Sequence, residues 1–432
     1  MLIRKLSLVV ASASILAILA GTAAAQTIRI AEHRQARIDA LMKNVPAIEE
    51  KLGVTIEVVE YPAPEKDYLT KLLTELRAGN APDLFTAPRG QDVADMVAAG
   101  YLAPAGAEMR AWEGYDHLFD VAKSLVTAGD GEIYVLPSMV NVQQIYFRRD
   151  ILDAAGISTE QPGNWRELID RAKEVKDKTG AYGLLFPAGV TWGGGAFGEG
   201  FTYLIMGSST PQIANDDGTL NLKGPGIMDV FGVYEELIAN DLMPIDPLLG
   251  PEPWIIPKYE MFPAGELAAT TCGTWCYIYD WGPESRNPIP NVTDAVGTWA
   301  VPGQDGGQYV LVDIDSPWGV NADAADVDKA KQVLLELGSV EVAAAYAEKL
   351  GNIPARKDAA DNADFQALKA LVPIHMNVDD GVFLKTATGF SVVSEGVARA
   401  TEALLRGETD AAGAQAILVE YATDLLGEDV VK

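Results

Sequence analysis

Between residues 27 and 87 the chain alternates between two hydrophobic rhythms, and this limits its possible folds more than any other feature. TIRIA (27–31), VTIEVVEY (54–61) and DLFTA (83–87) are short apolar runs of strand type. Between them, residues 36–51 carry Ile38, Leu41, Met42, Val45 and Ile48 on one helical stripe. Residues 66–78 carry Tyr68, Leu69, Leu72, Leu73 and Leu76 at spacings of three and four. Strand–helix–strand–helix–strand at these intervals predicts parallel strands with right-handed helical crossovers, the α/β class. A further helix is expected over about 91–99, stopping at Gly100.

A second set of elements begins near residue 133. IYVLP (133–137) and VQQIYFRRD (142–150) read as strands. Asn164, with Glu167 three residues on, has capping-box spacing and starts a helix whose apolar face is Leu168, Ala172 and Val175. More helices are expected at 226–240, 326–338, 339–350 and 395–406, with Gly338 and Gly351 where C-terminal caps belong. The Pro-rich segment 244–263 reads as an ordered surface loop with short helical turns. There is no repeat, low-complexity tract or heptad.

The first residues, MLIRKLSLVVASASILAILAGTAAAQ, have a basic start, an apolar run too short for a bilayer and a small-residue site. They predict a signal peptide, 1–25, cleaved before Gln26. Thr22 stands where a lipoprotein would need cysteine, so a lipid anchor is not expected. The protein is therefore expected to be soluble in an oxidising periplasm. The remaining length suits two domains. The formal charge of −28 argues against nucleic acid and anionic membrane as partners. Cys272 and Cys276, the two cysteines, lie four apart, roughly 6 Å between α-carbons if helical, within reach of a disulfide. A disulfide is expected, and two buried free thiols are the alternative.

Signatures of catalysis are missing. There is no G-x-S-x-G, H-E-x-x-H or P-loop, and GGGAFGEG (193–200), although it holds the glycine spacing G-x-G-x-x-G, follows no clear strand and precedes no lysine, so it lacks the context of a nucleotide loop. His33, His117 and His375 are far apart, so neither a metal nor a cofactor is expected. Trp192, Trp275 and Trp318 each adjoin small residues. An accessible indole there suits stacking on the apolar face of a sugar or polyol, and a core position is the plainer alternative.

Five segments carry a resemblance that spans most of the chain: APDLFTAPRGQDVADMVAAGYLAP (81–104), EIYVLPSMVNVQQIYFRRDILDAAGI with NWRELIDRAKEV (132–175), FPAGELAATTCGTWCY (262–277), LGNIPARKDA (350–359) and ATEALLRGETDAAGAQAIL (400–418). Together, and in this order, they resemble the extracellular solute-binding proteins of ABC importers, in the carbohydrate-binding branch. The resemblance implies two α/β lobes, each a mostly parallel sheet flanked by helices, joined by hinge strands with ligand between them. It implies a first lobe of 26–137 plus 298–318 and a second of 138–297 plus 319–432, with crossings near Pro137, Gly297–Val301 and Trp318. Trp275, in the family's G-x-W position, is implied to stack on ligand, with Trp192 and Trp318 as further rings. Polar ligand contacts are implied at Glu32, His33, Arg89, Gln91, Asn141, Gln143, Asn352 and Arg356, and Glu199 is a further hydrogen-bonding candidate.

The function expected is a non-enzymatic, monomeric receptor that captures a sugar or polyol and delivers it to an importer's permease. Two alternatives are weighed against it. One is the same fold with a charged ligand: a sugar acid, sulfonate, polyamine or peptide. The other is a secreted glycoside hydrolase using two of the 61 acidic residues.

Overall fold

A computed structural model describes residues 25–62, 65–215, 217–385 and 387–432, without the side chain of Gln91. The expected signal segment, apart from its last residue, lies outside them. The opening alternation folds as β1 (Gln26–Glu32), α1 (Gln35–Met42), α2 (Val45–Leu52), β2 (Val54–Glu60), α3 (Glu65–Ala78), β3 (Leu84–Thr86) and α4 (Gly90–Ala98). The single helix expected at 36–51 is two, because Pro46 enters at the start of the second. β1 lies parallel between β2 and β3. Two later strands, β4 (Val135–Leu136) and β11 (Trp318–Val320), complete this sheet in the order β2-β1-β3-β11-β4, with β11 antiparallel to both neighbours.

The second sheet is built on β5 (Met139–Arg148), which is buried almost throughout because each end serves a different core. Met139, Val140 and Val142 pack with the first sheet, and Ile145, Tyr146 and Phe147 with the second lobe. β6 (Ala269–Gly273), β7 (Val296–Trp299), β10 (Leu311–Ile314) and β12 (Ile353–Pro354) all run antiparallel to β5. Among the described residues, parallel pairing in this lobe is confined to bridges such as Tyr182–Leu267 and Leu185–Thr270. A hairpin of β8 (Val301–Pro302) and β9 (Gln308–Tyr309) stands apart.

Two buried clusters define the lobes. One draws on residues 28–142 and 312–378, the other on 145–311 and 384–431. This corrects the expected boundaries. Trp299 and Val301 belong to the second core, and the helices Val327–Glu336 and Val340–Leu350 to the first. The chain crosses within β5, within β10 and between Val378 and Leu384. Gly297 pairs with Phe147 inside the second lobe, and Trp318 lies inside the first sheet, so neither marks a crossing.

Local signals held where they were specific. Asn164 accepts a hydrogen bond from the Glu167 backbone N–H and caps the helix Trp165–Thr179. Gly351 ends its helix in the left-handed region, φ 76°. Gly338 has another role: a Cβ there would sit 2.7 Å from the Trp112 ring, so close packing requires the glycine. No helix among the described residues is long and apolar enough to cross a membrane.

Candidate functional site

A chain of alternating charges runs from one lobe to the other. Arg34 lies 3.6 Å from Glu65, at the start of α3. Glu65 accepts from Arg89 Nε at 2.8 Å and Nη2 at 3.2 Å. Arg89, just beyond β3, reaches across to Glu199 at 3.4 Å, and Glu199 pairs with Lys258 Nζ at 2.7 Å. Burial penalises each charge, yet the partners prevail. Arg89 is held above its ordinary value by Glu65 and Glu199, and Glu65 and Glu199 are held below theirs by the cations beside them.

The second-lobe end of that chain is ringed by aromatics. Glu199 lies in the irregular turn Ala196–Phe201, where its carbonyl accepts from Thr271 Oγ1 at 2.6 Å. Lys258 lies in Ile255–Met261, inside the Pro-rich segment, and Trp281 Nε1 donates to its carbonyl at 2.8 Å. The lysine is 3% exposed. Its ammonium sits 5.5 Å from the centre of the Trp192 ring and 5.9 Å from that of Trp275, within cation–π range of both. Trp275 follows β6 in a tight turn, its indole folded over Gly273, where a Cβ would collide with the ring. Gly195 makes room for Trp192 in the same way.

Beneath Trp275, the sulfurs of Cys272 and Cys276 are at bonding distance and their α-carbons are 6.4 Å apart. The Asp280 carboxylate lies 2.9 Å from the Cys276 sulfur. Burial pushes Asp280 up to about 6 although Lys258 pulls it down, and its second oxygen has no hydrogen-bond partner.

A polar strip from the hinge strands faces these groups. Asn352 donates to Asn141 at 2.6 Å, and Gln143 donates to Asp313 at 2.7 Å. Burial, with Asp315 nearby, pushes Asp313 up to about 7, and one of its oxygens is unpartnered.

Other expected contacts lie elsewhere. Glu32 is fully buried and accepts from Arg37 Nε at 2.9 Å and from the His33 backbone at 2.8 Å. Burial opposes its charge, but Arg37 holds it down at about 2. Arg37 also pairs with Asp315 at 2.7 Å, so this network ties β1 to the end of β10. His33 stacks on Tyr68 at 4.3 Å. Trp318 is fully buried in β11, with the Arg37 guanidinium 6.0 Å from its ring. Arg356 is bidentate to Asp358 at 2.9 and 2.6 Å and lies 5.1 Å from the Trp112 ring. These four are engaged by the first lobe's own packing, which corrects their expected place in the cleft. Gln91 lies outside the described side chains. Trp275, Trp192, Glu199 and Arg89 converge, and Asn141, Gln143 and Asn352 form the strip. Lys258, Glu65, Asp280 and Asp313 were not anticipated. Their only signal was a lone lysine in a Pro-rich run and three of many acids.

The lobes also touch at the rim. Asp95 of α4 accepts from the backbone N–H of Gly389 at 2.7 Å, from that of Ser391 at 3.2 Å, and from the Ser391 hydroxyl, at the start of the second-lobe helix Phe390–Leu405.

Comparison with known proteins agrees with this architecture. Residues 43–373 match the model of a family described as bacterial extracellular solute-binding protein. The putative ABC transporter periplasmic-binding protein YcjN of Escherichia coli is 27% identical over 217 residues, 49% of this chain and 48% of that protein. The chain thus matches about half the length of this relative. Maltose-bound MalE3 of T. maritima superposes with a TM-score of 0.77 at 18% identity, covering 93% of this chain and 100% of that one. A solute-binding protein from Agrobacterium radiobacter, in complex with ribitol, gives 0.73 at 18% identity, covering 92% and 98%.

Proposed function

The chain belongs to the family of bacterial extracellular solute-binding proteins, and on that premise we propose that it captures a sugar or polyol between its lobes for delivery to an ABC importer permease. One observation carries this reading: Arg89 from the first lobe and Glu199 from the second meet beside two tryptophan rings that share one buried lysine. Rings offer faces to apolar C–H surfaces, while the amides and carboxylates around them match hydroxyls. Ligand touching both lobes stabilises the closed form, the basis of a transport signal. Maltose and ribitol in the structural relatives fit the same chemistry.

Charged ligands fit less well. Arg34, Arg37, Arg89 and Arg356 already have carboxylate partners, so an anion would have to displace one. The finer reading is an exported periplasmic monomer without turnover, its signal removed, with a Cys272–Cys276 disulfide stiffening the turn under Trp275. Thermal unfolding against neutral sugars, polyols, sugar acids and amino acids tests the proposal. A ligand at about 100 times its Kd adds about 2.7 kcal/mol and raises the melting point by a few degrees. A shift confined to acidic or nitrogenous ligands, or hydrolysis of a glycoside in the panel, would overturn it.

A further inference from the structure

We propose that Lys258 is the specificity-determining residue of the cleft, selecting a ligand that presents an oxygen lone pair between Trp192 and Trp275 and excluding one that carries an amine there. This rests on the sugar-binding reading and names the ligand chemistry that the site accepts.

The argument starts from where the ammonium is held. Lys258 is nearly inaccessible, its carbonyl is fixed by Trp281, and its irregular turn projects the side chain inward. The charged end lies within 6 Å of both ring centres, which is where a sugar stacked on either indole would place an edge. An ammonium has three donors and no acceptor. One donor is committed to Glu199 at 2.7 Å, and the sulfur of Cys272, 4.0 Å away, is a weak partner at best. The remaining donor capacity favours a hydroxyl, a ring oxygen or a carbonyl. A protonated amine in the same place would meet a like charge in a site shielded from water, where repulsion is strong.

Lys258 also fixes Glu199, so that the other carboxylate oxygen faces Arg89 of the first lobe. Ligand selection and lobe contact therefore share one side chain. Removing the lysine charge leaves the Glu199 carboxylate, with Arg89 as its remaining cation, beside two aromatic rings. A carboxylate next to π faces recognises ammonium groups. The inference thus predicts an inversion of preference, which a purely structural lysine would not give.

The test is calorimetric titration of the mature protein with neutral hexoses and with their 2-amino-2-deoxy counterparts, such as glucose against glucosamine. The wild type is expected to prefer the neutral member of a pair. Lys258→Ala is expected to weaken it by about 10- to 100-fold, the range for a hydrogen bond to a charged group. The variant is also expected to bind the amino sugar at least as well as the neutral one, while Lys258→Arg keeps the neutral preference. If Lys258→Ala does not fold, the double variant Lys258→Met/Glu199→Gln removes both charges of the pair and should still lose the neutral preference. Unchanged neutral affinity in a folded lysine variant, or a wild type that does not discriminate, overturns the role of Lys258 and leaves the sugar-binding reading intact. A wild type that binds neither these hexoses nor the sugars and polyols of the thermal panel sinks the sugar reading, and this inference with it.

Discussion

The first-lobe wall and the second-lobe wall of the cleft hold their charged groups by different means. In the first lobe the charges lie at strand ends and on the helices α1 and α3 and are tied into a rigid network: Glu32 and Asp315 on Arg37, and Glu65 on Arg89. Its tryptophan, Trp318, is sunk into the sheet. In the second lobe the key groups come from irregular turns, and its rings, Trp192 within the core and Trp275 packed against it, both lie beside a buried lysine. One wall reads as a fixed frame and the other as the surface that recognises ligand. Four measurements can break or sharpen that contrast.

The largest effect is expected from Trp318→Ala, which should cost about 3–5 kcal/mol of unfolding free energy through the cavity left in the sheet. Urea denaturation measures it. A variant of wild-type stability that no longer binds sugar would instead move Trp318 to the cleft wall. Trp275→Ala should show the opposite pattern. We expect a loss of about 2–4 kcal/mol in binding, as for a buried aromatic anchor, and only a small change in melting point. Calorimetry with the best ligand decides, and intact affinity would assign Trp275 to the core.

The same contrast explains what was legible in the sequence. The first lobe was readable because βαβ alternation leaves a periodic signal, and because Arg89 follows a strand whose end must border a cleft. The pattern did not show which strand-end residues would be consumed inside the lobe. Glu32 ends β1 much as Arg89 follows β3, yet Arg37, in the first turn of α1, claims it. The lobe boundaries failed for a related reason. β5 and β10 are apolar at both ends because each serves two cores, and hydrophobicity does not say which core receives which end. Lys258 was invisible because its burial depends on an irregular turn closing over Trp281, a tertiary event with no period.

A third test compares how the walls respond to acid. Glu32 sits at about 2, below its ordinary value, so its contribution is intact above pH 4.5 and fades only as pH falls toward 2. Asp280, raised from 3.8 to about 6 by burial, has the opposite sign. The folded state binds its proton more tightly than the unfolded chain, so stability falls as pH rises from about 4 to about 6. At 1.36 kcal/mol per unit, the difference is about 2–3 kcal/mol. Asp280→Asn should reduce the slope of that part of the stability profile, leaving the share that Asp313, raised to about 7, adds with the same sign, and Glu32→Gln should leave it unchanged. An unaltered slope in Asp280→Asn would mean that the second-lobe carboxyl is not strained by burial.

The smallest effect concerns how the walls meet. Asp95 touches none of the candidate ligand contacts, and its hydrogen bonds to Gly389 and Ser391 exist only while α4 and the helix Phe390–Leu405 are together. The carboxylate thus caps a helix of the opposite lobe, a contact available to the closed form alone. Losing a cap costs about 1 kcal/mol. Because this one exists in only one of the two states, Asp95→Ala should move the open–closed balance by the same amount. Ligand that binds the closed form would then weaken by about fivefold. Asp95→Asn, which keeps an acceptor for the backbone N–H groups, should lose less. Small-angle scattering of the ligand-free protein should show a larger radius of gyration for Asp95→Ala. Unchanged affinity and radius, with a lowered melting point, would reduce the contact to ordinary surface packing, leaving Arg89 and Glu199 as the side chains through which the walls act on each other.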